Sequence, residues 1–247
     1  MSSKSSDQAL GIDPLVKAVE IKITAREKDE DVVPRALELA DEEHESRQVY
    51  FFDTDELTLF DGGVALRARL VRDGADDSTV KLRPVVPSEV DARWLATEGF
   101  EIEVDVVGDD PVCSAKLSVD QKRDEISEVA DGSRPLRKLF SQAQEDLIAE
   151  DAPLAISWDD LRVLGPVDVR KWEIEREGCP YEITVEEWLL PDGTDFVELS
   201  IKVEPDEAQE AGESFRAFLV EKQLDTEGSQ QTKTRAALSY FTETQTE

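Results

Sequence analysis

Histidine is nearly absent from this chain: His44 is the only one in 247 residues. Cysteine is almost as scarce, and Cys113 and Cys179 lie far apart with no C-x-x-C pair. These absences exclude the usual structural zinc sites, which need spaced Cys and His. They leave two ordinary thiols, as expected of a cytoplasmic protein. His44 sits in a polar stretch, Glu42-Glu43-His44-Glu45-Ser46, and is expected at the surface rather than in a Ser-His-Asp arrangement. No G-x-S-x-G and no phosphate-binding P-loop is present. No run of about 18 apolar residues exists to cross a membrane as a helix. Residues 1–14 lack the apolar stretch of a secretory signal.

Positive charge is also in short supply. The chain has 28 Lys+Arg against 58 Asp+Glu, a net charge of −30. Such a surface repels nucleic acid and anionic membrane, so neither is expected as a partner. The acidity itself reads as solubility, including in a salty cytoplasm, and says nothing about a site. An anionic ligand would have to be drawn in by a local cluster of the few cations, so their placement is the informative question. A hydrophobic content of 39% is too high for a disordered chain. The length supports a sizeable core. Residues 1–14 are expected as a disordered tail, 15–242 as one domain and 243–247 as a second tail.

Period-2 alternation marks strands at 18–24, 48–52, 65–71, 79–83, 99–106, 113–122, 167–176, 181–189 and 195–203. Helical stretches are expected at 31–45 (with Pro34 in the first turn), at 133–150 (capped by Ser133), at 213–222 and at 236–241. Pro191-Asp192-Gly193 predicts a hairpin between the last two strands. The class is α+β. The four tryptophans, Trp94, Trp158, Trp172 and Trp188, are expected to pack outside the sheet.

Each strand has one apolar face and one charged face. Glu20 and Lys22 share a face, as do Arg67 and Arg69, then Thr79, Lys81 and Arg83, then Glu101, Glu103 and Asp105, and later Glu198, Ser200 and Lys202. A sheet with one face in water explains any single strand. A sheet curled into a barrel with its charged faces inward explains them together. In that case scarce cations converge on one axis, the helices cover the outer apolar faces, and about eight strands enclose a ligand-sized hollow. Converging Arg and Lys beside carboxylates suit a metal–polyphosphate ligand.

Tyr50-Phe51-Phe52-Asp53-Thr54, then Gly63-Val64-Ala65-Leu66-Arg67-Ala68-Arg69, then Thr79-Val80-Lys81 resemble the "YFDT … G-x-ALR-x-R … T-x-K" pattern of the CYTH superfamily, the triphosphate tunnel metalloenzymes. The resemblance spans about 18–241. It implies a closed antiparallel eight-stranded β-barrel forming a tunnel, with helices packed outside. It implies phosphate contacts from Arg67, Arg69, Lys81, Arg83, Arg170, Lys202, Lys233 and Arg235. It implies Mg²⁺ or Mn²⁺ on Glu20, Glu186 and Glu198, with Glu101 and Glu103 as weaker candidates. Catalytic roles fall to Glu20 and Lys22.

Two departures stand out. The E-x-E-x-K signature reads Ala18-Val19-Glu20-Ile21-Lys22, and the late E-x-E reads Glu198-Leu199-Ser200. Mg²⁺ needs only one or two protein carboxylates beside substrate phosphates, so one ion retains ligands while a second has lost two of them. The implied activity is metal-dependent hydrolysis of an inorganic or organic triphosphate. The alternatives are a class IV-type adenylyl cyclase, a polyphosphate- or nucleotide-binding module without turnover, and a soluble barrel whose charges are structural.

Overall fold

The computed structural model describes residues 13–25, 32–224 and 232–243. Residues 1–12 and 244–247, most of the two expected tails, lie outside it, as does Asp31. Nine strands form the body: β1 (Ala18–Thr24), β2 (Glu45–Asp53), β3 (Val64–Val71), β4 (Asp76–Leu82), β5 (Phe100–Val107), β6 (Asp110–Gln121), β7 (Arg162–Arg176), β8 (Cys179–Leu189) and β9 (Asp195–Val203). The helices are α1 (Val33–Ala36), α2 (Thr58–Asp61), α3 (Ala92–Leu95), α4 (Glu125–Ala130), α5 (Gln142–Asp151), α6 (Ala208–Glu221) and α7 (Lys233–Glu243). No described helix is long and apolar enough to cross a membrane.

The strands close into a barrel in the order β1-β5-β6-β4-β3-β2-β7-β8-β9. The tunnel-barrel expectation holds, with two amendments. Among the described residues there are nine strands, not eight, and the barrel is mixed. A closed ring with an odd number of strands cannot alternate direction throughout. One parallel joint is therefore obligatory, and it falls between β1 and β5, where Glu20 lies opposite Asp105.

Alternation sorts the side chains. Val19, Ile21 and Ile23 of β1, with Val197, Leu199 and Ile201 of β9, face outward and are covered by Phe215, Phe218 and Leu219 of α6. Leu66 and Ala68 of β3, Val80 and Leu82 of β4 and Ile102 of β5 face outward beneath Ile126 of α4 and Leu147 of α5. At about 1.5–3 kcal/mol per fully buried large side chain, these outer layers dominate stability.

Local chemistry sets the helix ends. Ser141 caps α5 and forms a reciprocal capping box with Gln144. The fully buried Gln144 also donates to the carbonyls of Ser78 and Leu117, clipping α5 onto β4 and β6. The expected helix 133–150 thus begins at Ser141, after a short 3₁₀ turn at Leu136–Leu139. The expected helix 31–45 is only α1 and a 3₁₀ turn at Leu39–Asp41, because β2 already begins at Glu45. The Pro191-Asp192-Gly193 hairpin is present, with Leu190 N–H donating to the Thr194 carbonyl.

Asp53 explains its own motif. This buried carboxylate accepts from the backbone N–H groups of Thr54, Leu59 and Phe60, at 2.7, 2.9 and 2.9 Å. It ties the end of β2 to α2 and so sets the approach to β3. Gly63 opens β3 with φ +83°, and a Cβ there would meet the Arg83 carbonyl oxygen at 2.0 Å. Asp53→Ala leaves three buried N–H groups short of an acceptor and is expected to destabilise the fold by on the order of 3 kcal/mol. Urea denaturation of the two proteins measures this, and a midpoint unchanged by the substitution would contradict it.

Candidate functional site

The inward faces enclose a cavity of about 420 Å³. Among the described residues ten Lys/Arg and seven Asp/Glu side chains line it. A chain of net charge −30 thus carries an excess of three positive charges in its hollow.

At one end the lining turns apolar. Trp188 shares the parity of Glu186 on β8, Phe196 that of Glu198 on β9, and Phe51 that of Arg47 on β2. Ala237 and Leu238 of α7 pack against this ring and cover it. Trp188 therefore lies inside the barrel, contrary to expectation, because its strand alternation points it inward. Trp94, Trp158 and Trp172 pack on the outside as expected. His44 is exposed, 5.3 Å from the Trp172 ring.

Of the expected phosphate contacts, Arg67, Arg69, Lys81, Arg83, Lys202 and Lys233 all line the cavity. Arg170 does not. It lies on the outer face of β7, pairs with Glu187 at 2.5 Å and is about half exposed, because the inward parity of β7 belongs to Lys171 and Glu173. Arg235 sits in an adjoining outer hollow over the Phe60 ring. Among the expected metal ligands, Glu20, Glu186, Glu198 and Glu103 are inside. Glu101 has the same parity as Glu103 but lies toward the rim, paired with Lys116 at 3.0 Å. Ala18 and Ser200 hold the tunnel-face parity, and Ser200 Oγ lies 3.3 Å from Glu20 Oε1.

Several charged lining residues escaped sequence reasoning, Lys171 and Glu173 of β7 among them. Arg47 was hidden because β2 begins three residues earlier than its apolar run. Asp105 stood in the alternating acidic strand and was assigned nothing. Lys116 shares the inward face of β6 with Ser118.

The lysines are neutralised locally. Lys22 reaches Asp105 at 2.7 Å and Glu20 at 2.9 Å, and Lys81 reaches Asp105 at 2.5 Å. Glu103 holds Lys116, at 3.0 Å, and Lys202. Lys233 holds Glu186, and Glu198 at 2.9 Å. Burial raises the Asp105 carboxyl, but Lys22 and Lys81 outweigh it and hold the group well below the usual carboxylate range. Burial lowers the Lys22 ammonium, yet Glu20 and Asp105 carry it above the ordinary lysine range. Glu20 is likewise raised by burial but brought down to about 2 by Lys22 and Lys233.

The arginines behave differently. Arg69 Nε bonds Asp77 Oδ2 at 2.8 Å. Arg67 has no ion-pair partner among the described residues, and its buried Nε has no hydrogen-bond partner. Arg47 is 7% exposed and pairs with Glu186 through Nη2, while its buried Nε, 3.6 Å from Glu45 Oε1, makes no hydrogen bond. Burial first, then repulsion from Arg69 and Arg47, lowers Arg67 to about 9. Burial and Arg69 lower Arg47 to about 10. Among the described residues, two buried guanidinium Nε donors in one electropositive group thus make no hydrogen bond.

No described group of three or more acidic, His or Cys side chains is arranged to hold a metal alone. Glu186 and Glu198, opposite each other on β8 and β9, are the pair whose chemistry fits one hard divalent ion completed by ligand oxygens. Glu198 Oε1 is buried and accepts no well-aligned hydrogen bond. Burial pushes Glu198 up to about 7, with Lys22 opposing and Glu20 and Asp105 adding to the rise.

Two solved structures share this architecture. A candidate adenylate cyclase from Bacillus halodurans superposes with a TM-score of 0.61 at 14% identity, over 89% of this chain and 96% of that one. HpAC1 from Hippeastrum, a candidate adenylyl cyclase with a dominant triphosphatase activity, gives 0.59 at 16% identity, over 91% and 96%. The chain shares its fold with these two structures. No family model and no curated protein matches the sequence. At these identities the likeness is one of fold.

Opposed carboxyl shifts predict a maximum in stability against pH. Glu20 and Asp105 have lowered values, so their contribution is present above pH 4.5 and is lost as pH falls toward 2. Glu198 is raised, so its contribution is present below pH 4.5 and is lost as pH rises through about 7. Stability should therefore climb between pH 7 and 4.5 and fall below 4.5. Overall acidity pushes the same way, so the control is Glu198→Gln, which should flatten part of the upper slope. Thermal melts across pH 2.5–8 decide this, and an unchanged upper slope in the variant would contradict the assignment.

Proposed function

We propose that this chain binds an inorganic or organic triphosphate in its tunnel and hydrolyses a phosphoanhydride bond within it. The observation that carries the reading is the Arg47–Arg67–Arg69 group, in which Arg67 has no ion-pair partner among the described residues and the buried Nε atoms of Arg47 and Arg67 make no hydrogen bond. Guanidinium forks match phosphate oxygens two at a time, and an anion would offset the burial, and after it the repulsion from Arg69, that lower Arg47 and Arg67. Lys81 of β4 and Arg83, just past the end of that strand, extend the cationic wall. The triphosphatase activity of HpAC1, which has the same fold, is consistent with this reading.

Mg²⁺ or Mn²⁺ on Glu186 and Glu198 would neutralise phosphate charge and polarise the bond to be broken. Lys22 stays an ammonium at any working pH, so it cannot be a general base. It suits stabilising charge on the leaving phosphate. Glu20 stays ionised down to about pH 2, which makes it a weak base but a steady acceptor for orienting a water.

A second reading, a polyphosphate receptor without turnover, draws on Ala18 and Ser200, where the family pattern has carboxylates, and on the lack of a three-carboxylate group among the described residues. Phosphate release from tripolyphosphate, ATP and thiamine triphosphate with Mg²⁺ or Mn²⁺ separates the two. Turnover supports the enzyme, and tight binding without release supports the receptor.

Arg67→Ala should weaken tripolyphosphate binding by roughly 1.5–3 kcal/mol, the range for hydrogen bonds to charged groups. Its melting temperature should hardly move, since the residue makes no ion pair among the described residues. Calorimetric titration reads the affinity, and an undiminished value would remove Arg67 from the site.

A further inference from the structure

The carboxylate pair best suited to a metal ion is held here by the protein's own cations. Arg47 Nη2 bonds Glu186 Oε1. Lys233 Nζ bonds Glu186 Oε2 and lies 2.9 Å from Glu198 Oε1. Both oxygens of Glu186 are thus occupied by side chains from two different elements, β2 and the first turn of α7. Trp188 Nε1 adds a long contact to Oε2 at 3.4 Å. The same two cations border the phosphate group just described: Arg47 belongs to it, and Lys233 lines the same cavity.

We propose that Arg47 and Lys233 are exchangeable counter-cations. They neutralise Glu186 and Glu198 until a divalent ion arrives, and then transfer to the phosphate oxygens. The proposal rests on the tunnel being a triphosphate site. Its physical basis is the cost of an unpaired buried charge. A divalent ion that took Glu186 and Glu198 alone would leave the buried Lys233 ammonium without its two partners and the buried Arg47 guanidinium with only the half-exposed Glu45 at 3.6 Å, which is strongly unfavourable. A polyphosphate arriving alone would find both cations already engaged. When both enter, every charge is matched: carboxylates to metal, Arg47 and Lys233 to phosphate. Metal and anion therefore assist each other's binding, and by linkage the assistance is mutual. The geometry separates this from a permanent structural pairing. Lys233 leans over the Trp188 ring, 5.5 Å from its centroid, and its flexible stem needs only side-chain rotation to turn to the cavity. Arg47 still has its Nε free of any hydrogen bond.

The test compares the full-length wild type with Lys233→Met and Arg47→Gln. Mn²⁺ binding is followed by electron paramagnetic resonance without anion, and tripolyphosphate binding by calorimetry at fixed Mn²⁺. Exchange predicts opposite signs from one substitution. Each variant should bind Mn²⁺ alone about tenfold more tightly, because a competing cation is gone. Each should bind tripolyphosphate with Mn²⁺ about tenfold more weakly, because a phosphate donor is gone. Melting curves establish that the variants fold, and either one suffices for the comparison. Mn²⁺ affinity unchanged or reduced in the folded variants, with tripolyphosphate still bound by the wild type, would overturn the exchange and leave the triphosphate reading intact. A wild type that binds no tripolyphosphate with or without Mn²⁺ would overturn both.

Discussion

Placing ten cationic side chains in one cavity of an acidic protein is the constraint on which the rest depends. Buried charge is tolerated only when paired and hydrogen-bonded. The barrel meets this by letting single inward carboxylates each answer cations from two strands. Asp105 on β5 answers Lys22 and Lys81 from two different strands, and Glu103 answers Lys116 and Lys202. The strand order follows the same logic. The parallel joint between β1 and β5 brings Glu20 and Lys22 beside Asp105. The pairing stops at Arg67, which has no ion-pair partner among the described residues and whose buried Nε makes no hydrogen bond.

Much of this was legible in the residues themselves. Alternation located all nine strands, and the inward parity of Arg67, Arg69 and Lys81 followed from the side-chain period of two. The count of eight came from family resemblance and was one short. The odd number then forces a parallel pair, which no local pattern can show. The helices were less legible. The stretch 31–45 has helical composition but is overridden by β2 pairing from Glu45 onward. The start of α5 was misplaced because Ser133 and Ser141 both look like caps, and only Ser141 has Gln144 at the right offset to complete the box.

The site divides similarly. Residues on regular strands between clear turns were found. Those beside irregularities were missed or misplaced. Arg170 was taken as inward, but β7 carries an irregularity near Gly165-Pro166, and its tunnel face belongs to Lys171 and Glu173. Arg47 lay before the apolar run used to define its strand. Trp188 could not be recognised as interior without knowing that the tunnel's charged lining gives way to an apolar ring, where α7 forms a lid.

The ring order has a consequence for how the chain reaches this state. β1 is the first strand made, yet both its neighbours come late: β5 ends at Val107, and β9 begins at Asp195. The barrel cannot close until the ninth strand arrives to fill the gap beside the first. Contacts this far apart in sequence make folding slow, because loop-closure entropy is spent before the pairing repays it. In the interval the two edges of an open sheet stand unpaired, the kind of template that recruits strands from other chains. A net charge of −30 supplies mutual repulsion between incomplete copies during that wait. The acidity thereby has a kinetic use, keeping nascent chains apart until the last strand shuts the ring.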